Sequence, residues 1–270
     1  MTAEDQRTAP SQINAHIPNA ARIYDWLLGG KDHYPADRDA GEQLLRVLPF
    51  INEVARHNRY FLGRAIRHLT ACGVTQFLDL GSGLPTVENV HQIAQRARPE
   101  SRVVYVDIDP VAAVHARALL AGDPGVAVLE ADIRDPRRIL HAPEVRDHLD
   151  FSRPIAVITV AVLHFISNAD DPAGILAAVR DAVVPGSALV VSHGSSSMST
   201  PEERSGAAAI YARSSTPVHA RTDEEILALA QTFGDLEEPG LVEISQWRPD
   251  SGELPHRAQV RVLGGVARRL

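Results

Sequence analysis

The chain has 270 residues, 44% of them hydrophobic, with 27 basic against 34 acidic side chains and a formal charge of −7 at neutral pH. That balance disfavours nucleic acid as a main partner, because phosphate backbones are held by an excess of Lys and Arg. A single cysteine, Cys72, excludes an internal disulfide and a cysteine-based zinc site, and reads as a small buried residue.

Met1 to Asn14 is polar, without an apolar signal core. The longest apolar run, Ile155 to Ile166, is interrupted by Thr159 and His164 and is too short for a membrane span. The expectation is a soluble, cytoplasmic chain with no membrane partner. Residues 1–18 have no apolar periodicity and are expected to be a disordered N-terminus. From Asn19 the pattern turns helical, with Ile23, Trp26 and Leu27 on one face, until Gly29-Gly30 stops it. Further helices are predicted through Leu44, Leu45 and Leu48, and from Ile51 to Leu69 with Val54, Phe61, Ala65 and Leu69 at helical spacing. Residues 19–72 therefore read as an all-helical cap, and 73–270 as the core.

The core alternates. Strands are predicted at Gln76–Leu80, Arg102–Val106, Val126–Leu129, Ile155–Val162 and Ala188–Ser192, with helical patterns between them. This order means a parallel α/β sheet with right-handed crossovers. Thr200-Pro201-Glu202-Glu203 and Thr222-Asp223-Glu224-Glu225 are capping boxes that open two more helices. The last apolar runs, Leu241–Trp247 and Ala258–Val266, read as an antiparallel hairpin.

The chemistry gathers where the strands end, which is where open α/β sheets bind ligands. Phe77-Leu78-Asp79-Leu80-Gly81-Ser82-Gly83 is a strand entering a Gly-x-Gly turn. Two ligand classes use such a turn: dinucleotides and S-adenosylmethionine. A dinucleotide site wants a third small residue, but Pro85 and Thr86 stand there. Asp79 places a carboxylate beside the turn, which suits a cationic amino-acid end and repels phosphate. Asp107 closes the second strand and suits ribose hydroxyls. Asp132 follows the third, where a carboxylate can accept from an adenine amino group or simply serve a loop. Asp109, Asp135 and Asp171 each precede proline and read as helix caps.

The strand order resembles the S-adenosylmethionine-dependent methyltransferase fold. The run Ala21-Arg22-Ile23-Tyr24-Asp25-Trp26-Leu27-Leu28-Gly29-Gly30-Lys31-Asp32 is similar to an actinobacterial family of S-adenosyl methyltransferases, formerly a domain of unknown function. The resemblance extends from about Ala20 to Arg268, with matching stretches at Phe77–Pro85, Tyr105–Pro110, Glu130–Pro136, Val162–Ile166 and Val262–Arg268. It implies a class I, Rossmann-like, seven-stranded sheet with an antiparallel C-terminal hairpin, a helical cap, and S-adenosyl-L-methionine as cofactor. Asp79, Gly81, Ser82, Gly83, Asp107, Ile108, Asp132 and Ile133 form the expected cofactor site. Lys31 and Arg59, or Arg22, are the cations available for the methionine carboxylate. Tyr24, Trp26 and Tyr34 read as lid packing before substrate contacts.

His164, after the fourth strand, is the candidate general base if the acceptor must lose a proton; a buried, hydrogen-bonded histidine is the structural alternative. His193 is a weaker candidate. No G-x-S-x-G elbow supports hydrolysis. The leading expectation is a methyltransferase for a small-molecule acceptor. The alternatives are a non-catalytic S-adenosylmethionine-binding regulator and an NAD-dependent oxidoreductase.

Overall fold

The computed structural model describes residues 14–85, 88–120, 122–252 and 261–270. Three helices lead: α1 (Ala20–Leu27), α2 (Pro35–Val47) and α3 (Ile51–Ala71). Each begins for a local reason. Asn19 caps α1 by accepting from Ala21 N, and Pro35 opens α2 where its missing N–H costs nothing. The helix expected through Leu44, Leu45 and Leu48 thus begins at Pro35.

The sheet is built from β1 (Gln76–Leu80), β2 (Arg102–Asp107), β3 (Val126–Glu130), β4 (Ala156–Val160), β5 (Ala188–Gly194), β6 (Asp235–Leu236), β7 (Val242–Glu243) and β8 (Val262–Arg268). Its order is β3-β2-β1-β4-β5-β8-β6, with β7 also on β8. β1 to β5 pair in parallel, and β8 runs antiparallel to β5, β6 and β7. Seven positions span the sheet, the last shared by the two-residue strands β6 and β7.

The expected strand Ile155–Val162 shortens to β4 and the two-residue β6 was not expected; the largest difference lies in the C-terminal hairpin. Of the expected strand Leu241–Trp247 only Val242–Glu243 pairs. Ile244–Gln246 turns into a 3-10 helix, and Trp247 is fully buried against Phe61, their rings 5.5 Å apart. Burying the indole outweighs extending the ladder. The tip of that expected hairpin, 253–260, lies outside the described residues.

Connecting helices are α4 (Val90–Ala97), α5 (Pro110–Leu120), α6 (Pro136–His141), α7 (Pro143–Arg146), α8 (Pro172–Ala182), α9 (Pro201–Tyr211) and α10 (Asp223–Phe233). Asp135 and Asp171 cap α6 and α8 through Arg138 N and Gly174 N, as their prolines imply. Thr200 and Thr222 close both expected capping boxes.

Two apolar layers sandwich the sheet. On one face α3 packs Phe61, Ala65, Ile66 and Leu69 against Phe77, Val103, Ile158 and Val190. A separate small core joins Ile23 and Leu27 of α1, Leu44 of α2 and Ile210 of α9. The first helices are thereby divided: α3 is part of the sheet's own core, while α1 and α2 lie with α9 over the strand ends. Residues 14–18, expected to be disordered, are tied down: Ile17 O accepts from Arg22 Nη2 at 2.8 Å and Pro18 O from Ser215 N at 3.0 Å. Residues 1–13 lie outside the described residues. Cys72, expected to be buried, is exposed at the end of α3.

Candidate active site

β1 has β2 on one side and β4 on the other, so the chain reverses direction of travel across the sheet at the C-terminal end of β1. Such a reversal splits the flanking loops apart and leaves a crevice. A cavity of about 680 Å³ occupies it, lined by the ends of β1 to β5 and covered by α1, α3, α9 and residues 14–19.

The turn after β1 is fixed by β2. Gly81 N and Ser82 N both donate to Val106 O, at 2.8 and 3.1 Å, and Gly83 N donates to Asp107 Oδ2 at 2.7 Å. Both glycines take left-handed backbone, with φ of 76° and 66°. Their side-chain space differs. A Cβ on Gly81 would lie 2.2 Å from Val162 Cγ2, whereas one on Gly83 meets nothing nearer than Ala21 Cβ at 4.0 Å. The glycine at 83 therefore leaves cavity space open beside the turn.

Two carboxylates stand beneath it. Asp107 is 9% exposed and Asp79 6%. Burial raises Asp107 to about 6, against the hydrogen bonds it accepts from Asp109 N and Gly83 N. Burial raises Asp79 to about 7, with the Arg59 guanidinium working against the shift and Asp107 adding to it. Arg59 also donates to Glu88 O at 2.9 Å. Ile108 lines the cavity with 46% of its surface exposed, and Ile133 lines it from beyond β3. Asp132 is clasped by Arg134, whose Nη2 lies 2.6 Å from Oδ2. Burial tends to raise Asp132, but the Arg134 hydrogen bonds outweigh it and hold the carboxyl below its usual range.

Of the residues expected from sequence, Asp79, Gly81, Ser82, Gly83, Asp107, Ile108, Asp132, Ile133, Arg59 and His164 all line this one cavity; Lys31 does not. Lys31 is exposed, beside a loop that Asp25 holds: Asp25 Oδ2 accepts from Asp32 N at 3.0 Å and meets His33 Nδ1 at 2.9 Å. Arg22 lines the cavity but is engaged, its Nε 3.4 Å from Asp37 and 3.9 Å from Asp109. Asp109 also caps α5 by accepting from Val111 N, as its proline suggests.

Two groups were not legible beforehand. Asn58 of α3 connects the cover to the sheet: Nδ2 donates to Tyr24 Oη at 3.0 Å and Oδ1 accepts from Ser192 Oγ at 2.7 Å. It stands on the apolar stripe between Val54 and Phe61, and a polar residue on such a stripe was the available signal. Arg221, 2% exposed, sits behind His164 and His193; its place in an irregular loop gave no periodic signal. His164 lines the cavity with its Nδ1 buried and unpartnered. Burial, His193 and Arg221 hold its pKa well below the usual imidazole value.

The buried acids fit S-adenosylmethionine. A buried acid and a guanidinium, Asp79 and Arg59, line the same cavity as Asp107 and the open space at Gly83. A parallel sheet closed by an antiparallel β8, with this turn and acid pair at its switch point, is the class I methyltransferase arrangement.

Comparison with known proteins agrees. Residues 6–270 match the family described as S-adenosyl methyltransferase. A candidate methyltransferase from Thermobifida fusca YX is 42% identical, with 94% of this chain and 96% of that one covered and a TM-score of 0.88. A DUF574 family protein from Streptomyces avermitilis MA-4680 is 40% identical over 96% of this chain and 100% of the other, with a TM-score of 0.89. An O-methyltransferase family protein from Burkholderia thailandensis shares the fold alone, at 14% identity and a TM-score of 0.51 over 81% of this chain and 60% of that one. No curated protein matches. The chain belongs to the S-adenosyl methyltransferase family, and its cofactor is S-adenosylmethionine. Among the described residues no helix is long and apolar enough to cross a membrane, and no cluster of ligating side chains could hold a metal ion.

Proposed function

We propose that this chain transfers a methyl group from S-adenosylmethionine to a small-molecule acceptor inside the covered cavity. The carrying observation is the Asp107 carboxylate bonded to Gly83 N beneath an open, roofed crevice. When bound, the cofactor supplies a methyl carbon on an already activated sulfonium. The protein's part is alignment and exclusion of water.

Asp79 faces the cationic amino group and Arg59 the carboxylate. Asp107 accepts from the ribose hydroxyls while its other lone pairs keep the turn in place. Ile108 and Ile133 offer apolar surface to the adenine ring, and Asp132, steadied by Arg134, offers an acceptor at its edge. α1 and α2, with α9, form the roof, while α3 belongs to the sheet's core and lines the cavity from its side. Lys31 has no part in this assignment. His164, held neutral by burial, His193 and Arg221, lines the cavity as a hydrogen-bond partner for the acceptor's hydroxyl oxygen.

A cavity roofed by α1, α9 and residues 14–19 favours a small molecule over a polymer. The NAD-dependent reading is disfavoured by Asp79, which would sit against a pyrophosphate.

Thermal-shift measurements with S-adenosylmethionine, S-adenosylhomocysteine and NAD test the reading. The first two are expected to stabilise the chain and NAD to leave it unchanged; stabilisation by NAD alone overturns it. Saturable binding with no turnover on any acceptor pool would instead establish a non-catalytic binding protein.

A further inference from the structure

Arg221 is a buried cation with no anionic partner among the described residues. Its Nη1 donates to Leu163 O at 2.8 Å and to His193 Nε2 at 3.0 Å. Its Nη2 donates to Ile166 O at 2.7 Å and to Asn168 Oδ1 at 2.8 Å. Every acceptor is neutral. Glu225 is the carboxylate whose charge it feels, and that side chain is engaged by Thr222 N in the cap of α10. Leaving a buried guanidinium uncompensated is costly, so its position calls for an explanation beyond packing.

The guanidinium grips the carbonyls on either side of His164. His193 relays the contact: it accepts from Arg221 at Nε2, which makes Nδ1 the donor to Gly194 O at 2.8 Å, and its ring lies 5.3 Å from that of His164. On the cavity side, His164 adjoins an apolar chamber with Phe165 and Tyr211, their rings 5.4 Å apart, and with Leu48, Ala208 and Val218. The charged groups at that end are occupied locally: Glu203 accepts from Thr200 N, and Arg204 donates to Ser199 O. His219 lines the same wall, and its backbone N–H holds His164 O at 2.7 Å.

We infer that the acceptor is a phenol-type hydroxyl compound that binds as its phenolate and is methylated on oxygen, its ring seated by Phe165 and Tyr211 and its oxyanion favoured by the Arg221 charge. This rests on the methyl-transfer reading above. An uncompensated positive charge lowers the cost of a nearby negative charge and raises that of a positive one. A hydroxyl that loses its proton gains from that field, whereas an amine that becomes a substituted ammonium is penalised. The hydroxyl proton leaves to solvent as the acceptor binds; the acceptor oxygen then bonds the methyl carbon as the carbon–sulfur bond breaks with its electron pair left on sulfur, while His164 stays neutral beside it. Arg221 is a positioning residue here: it touches His193 and the backbone around His164, not the acceptor. Burial, with Arg221, holds His193 at about 4, so this second imidazole stays neutral and adds no competing charge.

The test uses the full chain saturated with S-adenosylhomocysteine, its binding followed by calorimetry, and 4-nitrophenol as probe, since phenol and phenolate absorb at different wavelengths. The bound probe is expected to ionise about 1 unit below its value in water. Arg221→Gln should return that midpoint towards the free value while S-adenosylhomocysteine still binds. If Arg221→Gln does not fold, Arg221→Lys keeps the charge and must keep the lowered midpoint. An unshifted or raised midpoint in the parent chain overturns the inference, as does failure of the probe to bind the S-adenosylhomocysteine complex. Failure of S-adenosylhomocysteine itself to bind would instead overturn the methyl-transfer reading.

Discussion

One oxygen of Asp107 accepts from Gly83 N at 2.7 Å, and the other from Asp109 N at 2.8 Å. A single acid thus fastens the turn after β1 to the end of β2 before any ligand arrives. Pre-formed in this way, the site spends little ordering entropy on binding.

On the proposed assignment, the raised carboxyls make cofactor binding pH-dependent. Asp79 titrates at about 7 and Asp107 at about 6 in the cofactor-free fold. A cationic amino group beside Asp79 favours the ionised form, so binding expels protons. Through Asp79, affinity for S-adenosylmethionine should rise by up to about 100-fold between about pH 5 and pH 8 and then level off. The cofactor-free chain should behave oppositely. A carboxyl raised on folding contributes its stability at low pH and loses it as pH climbs through the folded-state value. Calorimetry and thermal unfolding across that range check both signs; a pH-independent affinity would contradict the assignment of Asp79.

Gly81 and Gly83 should respond differently to alanine. Gly81→Ala adds a methyl against Val162 as well as backbone strain and should cost about 3 kcal/mol. Gly83→Ala meets no wall and should cost about 1 kcal/mol of stability. Its methyl points into cavity space, so it should weaken cofactor binding in spite of the milder fold cost. Denaturant unfolding gives the first pair of numbers and calorimetry the second.

Asn58 should prove structural as well as site-forming. Asn58→Leu leaves Ser192 Oγ without its acceptor and removes the donor to Tyr24 Oη. The expected loss is about 2 kcal/mol, read by urea unfolding, together with a looser roof and weaker cofactor affinity.

Much of this was legible in the sequence because it depends on local order. Asp-x-Gly-x-Gly after an apolar run, and Asp107 closing the next strand, specify strand ends and a turn with no long-range information. The exposure of Lys31 had no such local signal, because the contacts of neighbouring Asp25 with Asp32 and His33 form only in the folded loop. The same holds at the C-terminus: the alternation over 241–247 suits a strand, yet Trp247 finds more burial against Phe61 than the ladder offers. Arg221 escaped notice because its four neutral acceptors come from segments distant in sequence. Burial of a lone cation has no one-dimensional signature.

The most direct measurement is calorimetric titration of S-adenosylmethionine into the parent chain and into Asp107→Ala, with thermal unfolding to confirm that the variant is folded. Removing the carboxylate strips Gly83 N of its partner and, on the proposed assignment, the ribose of its acceptor. The expected result is an affinity about 100-fold weaker, or about 2.7 kcal/mol, in a folded protein. An affinity unchanged within about threefold would contradict the central claim that this acid pair at the strand ends holds the adenosyl cofactor.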